Sequence, residues 1–207
     1  MYTFSMKSSE VRTELFSIYD ELDEEIIKEA SKYDLYLIGG TAIEIWLNHL
    51  GIKGWRKRSN NDLDFLINKA SNDQMNKFKD YLRKNGFTKK SELNYNYNEI
   101  EIDFLEVLDE VNSDMFKVVN SIKLMSPIFL FTSKFNRISV LFCKNRNNQE
   151  SDRYIKDLKD LKDLIKVIKK LKLDKNFDEA LEYFYEDNKE SDKIKLIEEF
   201  IDKELDK

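Results

Sequence analysis

An α/β fold followed by a helical bundle is what this sequence predicts, and three observations predict it. Short apolar runs at 35–38 and 62–67 have the length and residue types of strands. Amphipathic helical segments alternate with them. Beyond Pro127 the pattern is helical to the end. Strands mixed with helices, then helices alone, divide the chain into a first domain over residues 1–125 and a helical domain over residues 126–207. No Pro-, Gly- or Ser-rich linker marks that boundary, so the two parts are expected to pack together.

The elements follow in order. Residues 11–33 place Leu15, Ile18, Leu22, Ile26, Ile27 and Ala30 on one helical stripe. A buried strand over 35–38 runs through Gly39-Gly40 into a helix over 41–50, which stops near Gly51. The second strand spans 62–67. Ser71 caps a helix that ends at Asn85-Gly86. Residues 92–97 and 99–108 read as two strands joined tightly around Asn98. The segment 116–125 is ambiguous and admits a further strand with a turn before Pro127. Helices are then expected over 127–143, 151–171, 177–185 and 191–205. The Lys-Asp-Leu repetition from 156 to 164 reads as a charged helix pattern.

A chain of 207 residues can bury a sizeable core. Its charged fraction of 36% is high, but clear apolar periodicity marks a globular protein and not a disordered one. No apolar run is long enough to cross a membrane and no basic-then-apolar leader opens the chain, so a cytoplasmic protein without a membrane partner is expected. Cys143 stands alone, which excludes an intramolecular disulfide; with Phe142 beside it, it reads as buried and inert. His49 is the sole histidine, so a His-rich metal site and a His-based nucleophilic pair are both set aside. It reads as a helix cap or surface residue, and Trp46 and Trp55 as core residues. A net charge of −5 argues against nonspecific nucleic-acid binding by the whole surface. The basic excess from Lys144 to Lys175 still offers a local face for a nucleoside triphosphate or an RNA end.

The chemistry concentrates in two places. Asp62 and Asp64 lie one residue apart on a strand, so they point the same way while Leu63, Phe65 and Ile67 point into the core. Two like charges side by side are costly unless a cation sits between them. Gly39 and Gly40 open a helix, where backbone N–H groups can receive a phosphate, and Thr41 can add a hydroxyl. A phosphate cradle with paired carboxylates is the equipment of Mg²⁺-dependent phosphoryl or nucleotidyl transfer. Glu99, Glu101 and Asp103 share one face of a later strand, and spacing alone permits either Glu101 or Asp103 to approach the Asp62/Asp64 pair. Arg58 and Ser59 precede the carboxylate strand. Together with Lys53, Arg56 and Lys57 they form a basic loop, either a clamp for the outer phosphates or a surface connection. Lys134 sits in an apolar stretch and must snorkel, pair or face a charged ligand. Asp157 and Asp160 read as helix-surface or lysine-pairing residues.

Gly39-Gly40-Thr41 followed by Asp62-Leu63-Asp64 resembles the nucleotidyltransferase superfamily pattern, a Gly-Gly or Gly-Ser turn preceding Asp-x-Asp. More narrowly, Gly39-Gly-Thr-Ala42 and Arg58-Ser-x-x-Asp-Leu-Asp-Phe65 are similar to the abortive-infection AbiEii family, toxins of type IV toxin–antitoxin systems. That family has a further acid on a later strand, a downstream lysine, and a basic-Asp-Leu-x-Asp-Leu stretch; Asp103, Lys134 and residues 156–161 stand in those places. Lys156 stands where the family often has Arg and lacks its bidentate geometry. The resemblance spans roughly residues 35 to 165 and implies a nucleotidyltransferase-like mixed β-sheet with flanking helices. It implies Asp62, Asp64 and Asp103 as ligands of two Mg²⁺ ions, with Asp103 assisting proton removal. Gly39, Gly40, Thr41, Arg58, Ser59 and Lys134 are implied around an NTP. The implied reaction moves an NMP to a tRNA 3′ end or a protein hydroxyl, with a cognate antitoxin as partner. An antibiotic-modifying nucleotidyltransferase acting on an aminoglycoside or lincosamide, and a noncatalytic NTP-binding module, are the rival readings.

Overall fold

The computed structural model describes residues 21–54, 61–68, 72–107, 115–142, 148–173 and 193–206. Of these, the residues up to Thr41 and between Lys57 and Leu124 form one compact unit; those of Ala42–Arg56 and from Met125 onward form a second. The stretch after Thr41 thus groups with the C-terminal helices, although it precedes residue 125.

The first unit is built on a mixed sheet of seven strands among the described residues, in the order β3-β4-β5-β2-β1-β7-β6. The strands are β1 (Leu35–Leu37), β2 (Asn61–Asn68), β3 (Thr88–Ser91), β4 (Asn94–Tyr97), β5 (Ile100–Val107), β6 (Phe116–Val119) and β7 (Ile122–Met125). The predicted α/β class is therefore observed. At the centre, β2 runs parallel to β5 and antiparallel to β1. Its period-two pattern sends Leu63, Phe65 and Ile67 to one face, where Ile102 and Phe104 of β5 join them, all buried. Helices α1 (Glu21–Lys32) and α3 (Asn72–Lys84) pack on β1 and β2. Phe78 of α3 meets Phe65 and Phe104 nearly edge-on, with ring centroids 5.9 and 6.1 Å apart, geometry that the ring quadrupoles favour.

Two strand assignments go beyond the sequence reading. β3 was not expected, since Thr88-Lys-Lys-Ser is exposed throughout and carries no apolar alternation. The ambiguous segment 116–125 is a hairpin, turning at Asn120 (φ 50°) and Ser121 (φ 67°), both left-handed as a tight type I′ connection requires. The helix closing at Gly86 behaves as read: Gly86 has φ 87°, and the Phe87 N–H donates to the Leu82 carbonyl at 3.0 Å. The expected helix over 177–185 and the start of the one over 11–33 lie outside the described residues.

The second unit contains most of α2 (Gly39–His49), with α4 (Pro127–Phe142), α5 (Asn148–Leu171) and α6 (Lys193–Leu205). α4 packs on α5, and α5 on α6. Leu130, Phe131, Leu158, Leu161 and Ile201 are buried between them, and the Trp46 indole N–H donates to the Met125 carbonyl at 3.0 Å. Trp46 is thus a core residue, as expected, while His49 is exposed at the end of α2. No described helix is long and apolar enough to cross a membrane.

Candidate active site

The acidic face of the sheet is the reverse of its aromatic core. β2 and β5 pair in parallel from Asn61↔Ile100 to Asn68↔Val107, which sets Asp62 beside Glu101 and Asp64 beside Asp103. Residues paired in this way point to the same face, so four carboxylates form a rectangle opposite Leu63, Phe65, Ile102 and Phe104. The register brings both candidates to the pair, Glu101 as the neighbour of Asp62 and Asp103 as the neighbour of Asp64. β4 extends the same face with Asn94 opposite Asp103 and Asn96 opposite Glu101.

Partners differ along β5. The Lys90 ammonium lies 3.0 Å from Glu101 Oε1; together with the Asn94 amide it holds the Glu101 carboxyl below the usual carboxylate range. Asn94 Nδ2 donates to Asp103 Oδ1 at 2.5 Å and to Glu101 Oε1 at 3.1 Å. Glu101 is thus matched by a cation, and Asp103 by a neutral amide.

The turn into α2 is tied to β2 by the backbone of its two aspartates. The Ile38 N–H donates to the Asp64 carbonyl at 2.9 Å, and the Thr41 hydroxyl to the Asp62 carbonyl at 3.0 Å. Thr41 is buried, so the structure gives its hydroxyl a positioning part at the strand. Between these tethers Gly39 adopts φ +68°, a left-handed conformation, and a Cβ built there collides with Asp64 Oδ2. Glycine is needed here for both conformation and space. The Asp64 carboxylate therefore stands over the first residue of α2, where the helix N-terminus favours negative charge. Gly40 follows within the same first turn.

Carboxylates on one face supply the hard oxygen donors that suit Mg²⁺, so the residue chemistry fits such an ion. Among the described residues no three Asp, Glu, His or Cys side chains are gathered into a metal-holding group. Asp103 is turned to Asn94 and Glu101 to Lys90. Arg58 and Ser59 lie outside the described residues.

Lys134 belongs to the second unit, in a buried cluster of its own. The residue is 6% exposed, and its ammonium lies 3.0 Å from Asp157 Oδ1 and 2.5 Å from Asp160 Oδ2. Arg137 forks onto both oxygens of Asp157. Of the alternatives the sequence left to Lys134, the structure shows pairing. Of those left to Asp157 and Asp160, it shows pairing with that lysine, at 1% and 0% exposure. Burial pushes the Asp157 carboxyl up, but Arg137 and Lys134 together outweigh it and hold the group below its ordinary range.

No protein-family model matches the chain, and no curated protein does. Among solved structures it is similar to the antibiotic-resistance factor ANT(2'')-Ia, 14% identical with a TM-score of 0.45, over 87% of this chain and 99% of that one. It is also similar to JHP933 from Helicobacter pylori, 14% identical with a TM-score of 0.46, over 96% and 94%. A protein from H. pylori described as a candidate nucleotidyltransferase is 17% identical with a TM-score of 0.40, over 91% and 98%. Likeness at this level carries no functional assignment.

Two predictions follow from the geometry. Gly39→Ala strains the backbone and displaces Asp64, so urea unfolding should show a loss of about 1–3 kcal/mol; an unchanged midpoint would mean that Asp64 does not press on the turn. Because the folded pKa of Asp157 is depressed, its stabilising contribution is complete above its unfolded value of about 3.9 and is lost as pH falls through the folded value. The stability gap between wild type and Asp157→Asn should therefore be full near neutrality and close below about pH 4. A gap that stays constant down to the acid transition would contradict the pairing.

Proposed function

We propose that the protein is a metal-dependent nucleotidyltransferase that moves an NMP from an NTP onto a macromolecular acceptor, with pyrophosphate as the leaving group. The observation that carries the reading is the register of β2 with β5, which sets Asp64 beside Asp103 at the glycine turn that opens α2. In this reading Asp62, Asp64 and Asp103 would hold Mg²⁺, two ions by the motif resemblance. When bound, Mg²⁺ would neutralise charge on the triphosphate and ease ionisation of the attacking hydroxyl.

The chain's own residues supply alignment. The backbone N–H groups of Gly39 and Gly40 would receive a phosphate oxygen at the positive end of α2. Thr41, tied to the Asp62 carbonyl, keeps that helix end seated on the acid strand. A carboxylate oxygen of Asp103 would take the proton from the acceptor hydroxyl. Arg58, Ser59 and Lys134 are proposed as further phosphate ligands on the motif resemblance alone. That resemblance, with the basic stretch from Lys144 to Lys175, supports a tRNA 3′ end or a protein hydroxyl as acceptor. It also supports a cognate antitoxin as partner.

Transfer of α-³²P label from NTPs, with Mg²⁺, into total tRNA and cell lysate tests this. Wild type should label an RNA or protein band, and Asp64→Asn, which keeps shape but removes charge, should lower the signal roughly 100-fold or more. A mutant as active as wild type would remove Asp64 from the mechanism. Label confined to small molecules, aminoglycosides or lincosamides included, would replace the macromolecular acceptor.

A further inference from the structure

We propose that Asn94 is the positioning residue for Asp103; the inference rests on the nucleotidyl-transfer reading and adds to it a residue outside the glycine turn and the acid strands. Asn94 stands on β4 directly across from Asp103 in an antiparallel pair. Its Nδ2 reaches Asp103 Oδ1 at 2.5 Å and Glu101 Oε1 at 3.1 Å. Both acceptors are carboxylate oxygens, which can only accept when ionised, so the nitrogen end of the amide must face them.

A carboxylate turns easily about its last torsion, whose energy surface is broad and two-fold. One strong hydrogen bond to Oδ1 removes that freedom and leaves the second oxygen in a defined direction. An amide does this without neutralising the charge, whereas a lysine or arginine in the same place would offset it. The pairing along β5 is divided on this principle. A register shift between Lys89 and Ser91 interrupts the β3–β4 ladder, and the Lys90 ammonium reaches Glu101 at 3.0 Å. Of these two acids, Glu101 is thereby engaged by a cation, and Asp103 by an amide that fixes its orientation without a counter-charge.

The other end of the amide points the same way. Asn94 Oδ1 is buried and has no hydrogen-bond partner among the described residues. Buried polar atoms are ordinarily satisfied, and an asparagine retained for packing alone would not leave an acceptor orphaned.

The test uses Mn²⁺ as the probe of the acid site, with free Mn²⁺ read by electron paramagnetic resonance on the full chain. Asn94→Leu keeps the shape and removes both polar ends. It should weaken Mn²⁺ binding roughly ten- to a hundredfold, as loss of an outer partner of a metal ligand does, and should raise by a similar factor the metal concentration needed for label transfer. Glu101→Gln should bind Mn²⁺ as wild type does. Asn94→Leu binding like wild type, or Glu101→Gln losing as much as Asn94→Leu, would overturn the proposal. Should Asn94→Leu not fold, the side-chain amide resonances of Asn94 in the wild-type protein decide. They should move on addition of Mg²⁺ and in Asp103→Asn, and resonances indifferent to both would overturn the role. Wild type that binds Mn²⁺ with this dependence on Asn94 yet transfers no label would sink the transfer reading and leave the positioning role standing. Wild type that binds no Mn²⁺ would end both.

Discussion

The parallel pairing of β2 with β5 is the constraint on which the first unit depends. Both strands carry two incompatible patterns, an apolar one at Leu63, Phe65, Ile67, Ile102 and Phe104, and an acidic one at Asp62, Asp64, Glu101 and Asp103. A slip of one residue would exchange the faces and place carboxylates against Phe78. The aromatic contacts therefore do more than fill space: they hold the register that sets Asp64 beside Asp103. Packing energy on one face is spent in part on keeping like charges adjacent on the other.

The turn into α2 carries this constraint from strand to helix. Backbone carbonyls of the two aspartates receive the Ile38 amide and the Thr41 hydroxyl, so the helix end is referenced to the acid strand itself. Gly39 closes the arrangement, since nothing larger fits between that backbone and the Asp64 side chain.

How much of this was legible in the sequence depends on whether a feature is local. Asp62 and Asp64 on one face of a strand follow from period two alone, and Gly39-Gly40 announces a turn. That Glu101 comes beside Asp62 and Asp103 beside Asp64 does not, because it rests on interstrand register, and Asn94 carried no signal at all since its partners are reached only across the β4–β5 ladder. β3 was hidden because an exposed edge strand of Thr and Lys lacks apolar alternation, and edge lysines serve to discourage further pairing. The hairpin at Asn120-Ser121 lacked the glycine that usually marks such a turn. The repetition from 156 to 164 read as a charged helix pattern, its acids at the surface or paired with lysine. Yet Asp157, Asp160 and Asp163 are all buried, together with Leu158, Leu161 and Leu164. A three-residue repeat advances by somewhat less than a helical turn, so Asp and Leu sweep one broad inner face together. Composition could not show that Asp157 and Asp160 face inward, because Lys134 and Arg137, which make their burial tolerable, lie on another helix.

The two units thus treat carboxylates in opposite ways. In the helical unit Asp157 is held by a lysine and an arginine, and Asp160 by the same lysine, an arrangement in which the charge is consumed by the fold. On the sheet Lys90 pairs with Glu101 at the surface, while Asp103 accepts a hydrogen bond from a neutral amide. A buried ion pair can hold helices in place. A carboxylate steadied by an amide keeps its charge and gives up only its rotation. That difference in partner, more than the number of acids in either place, singles out the β2–β5 face for the proposed chemistry.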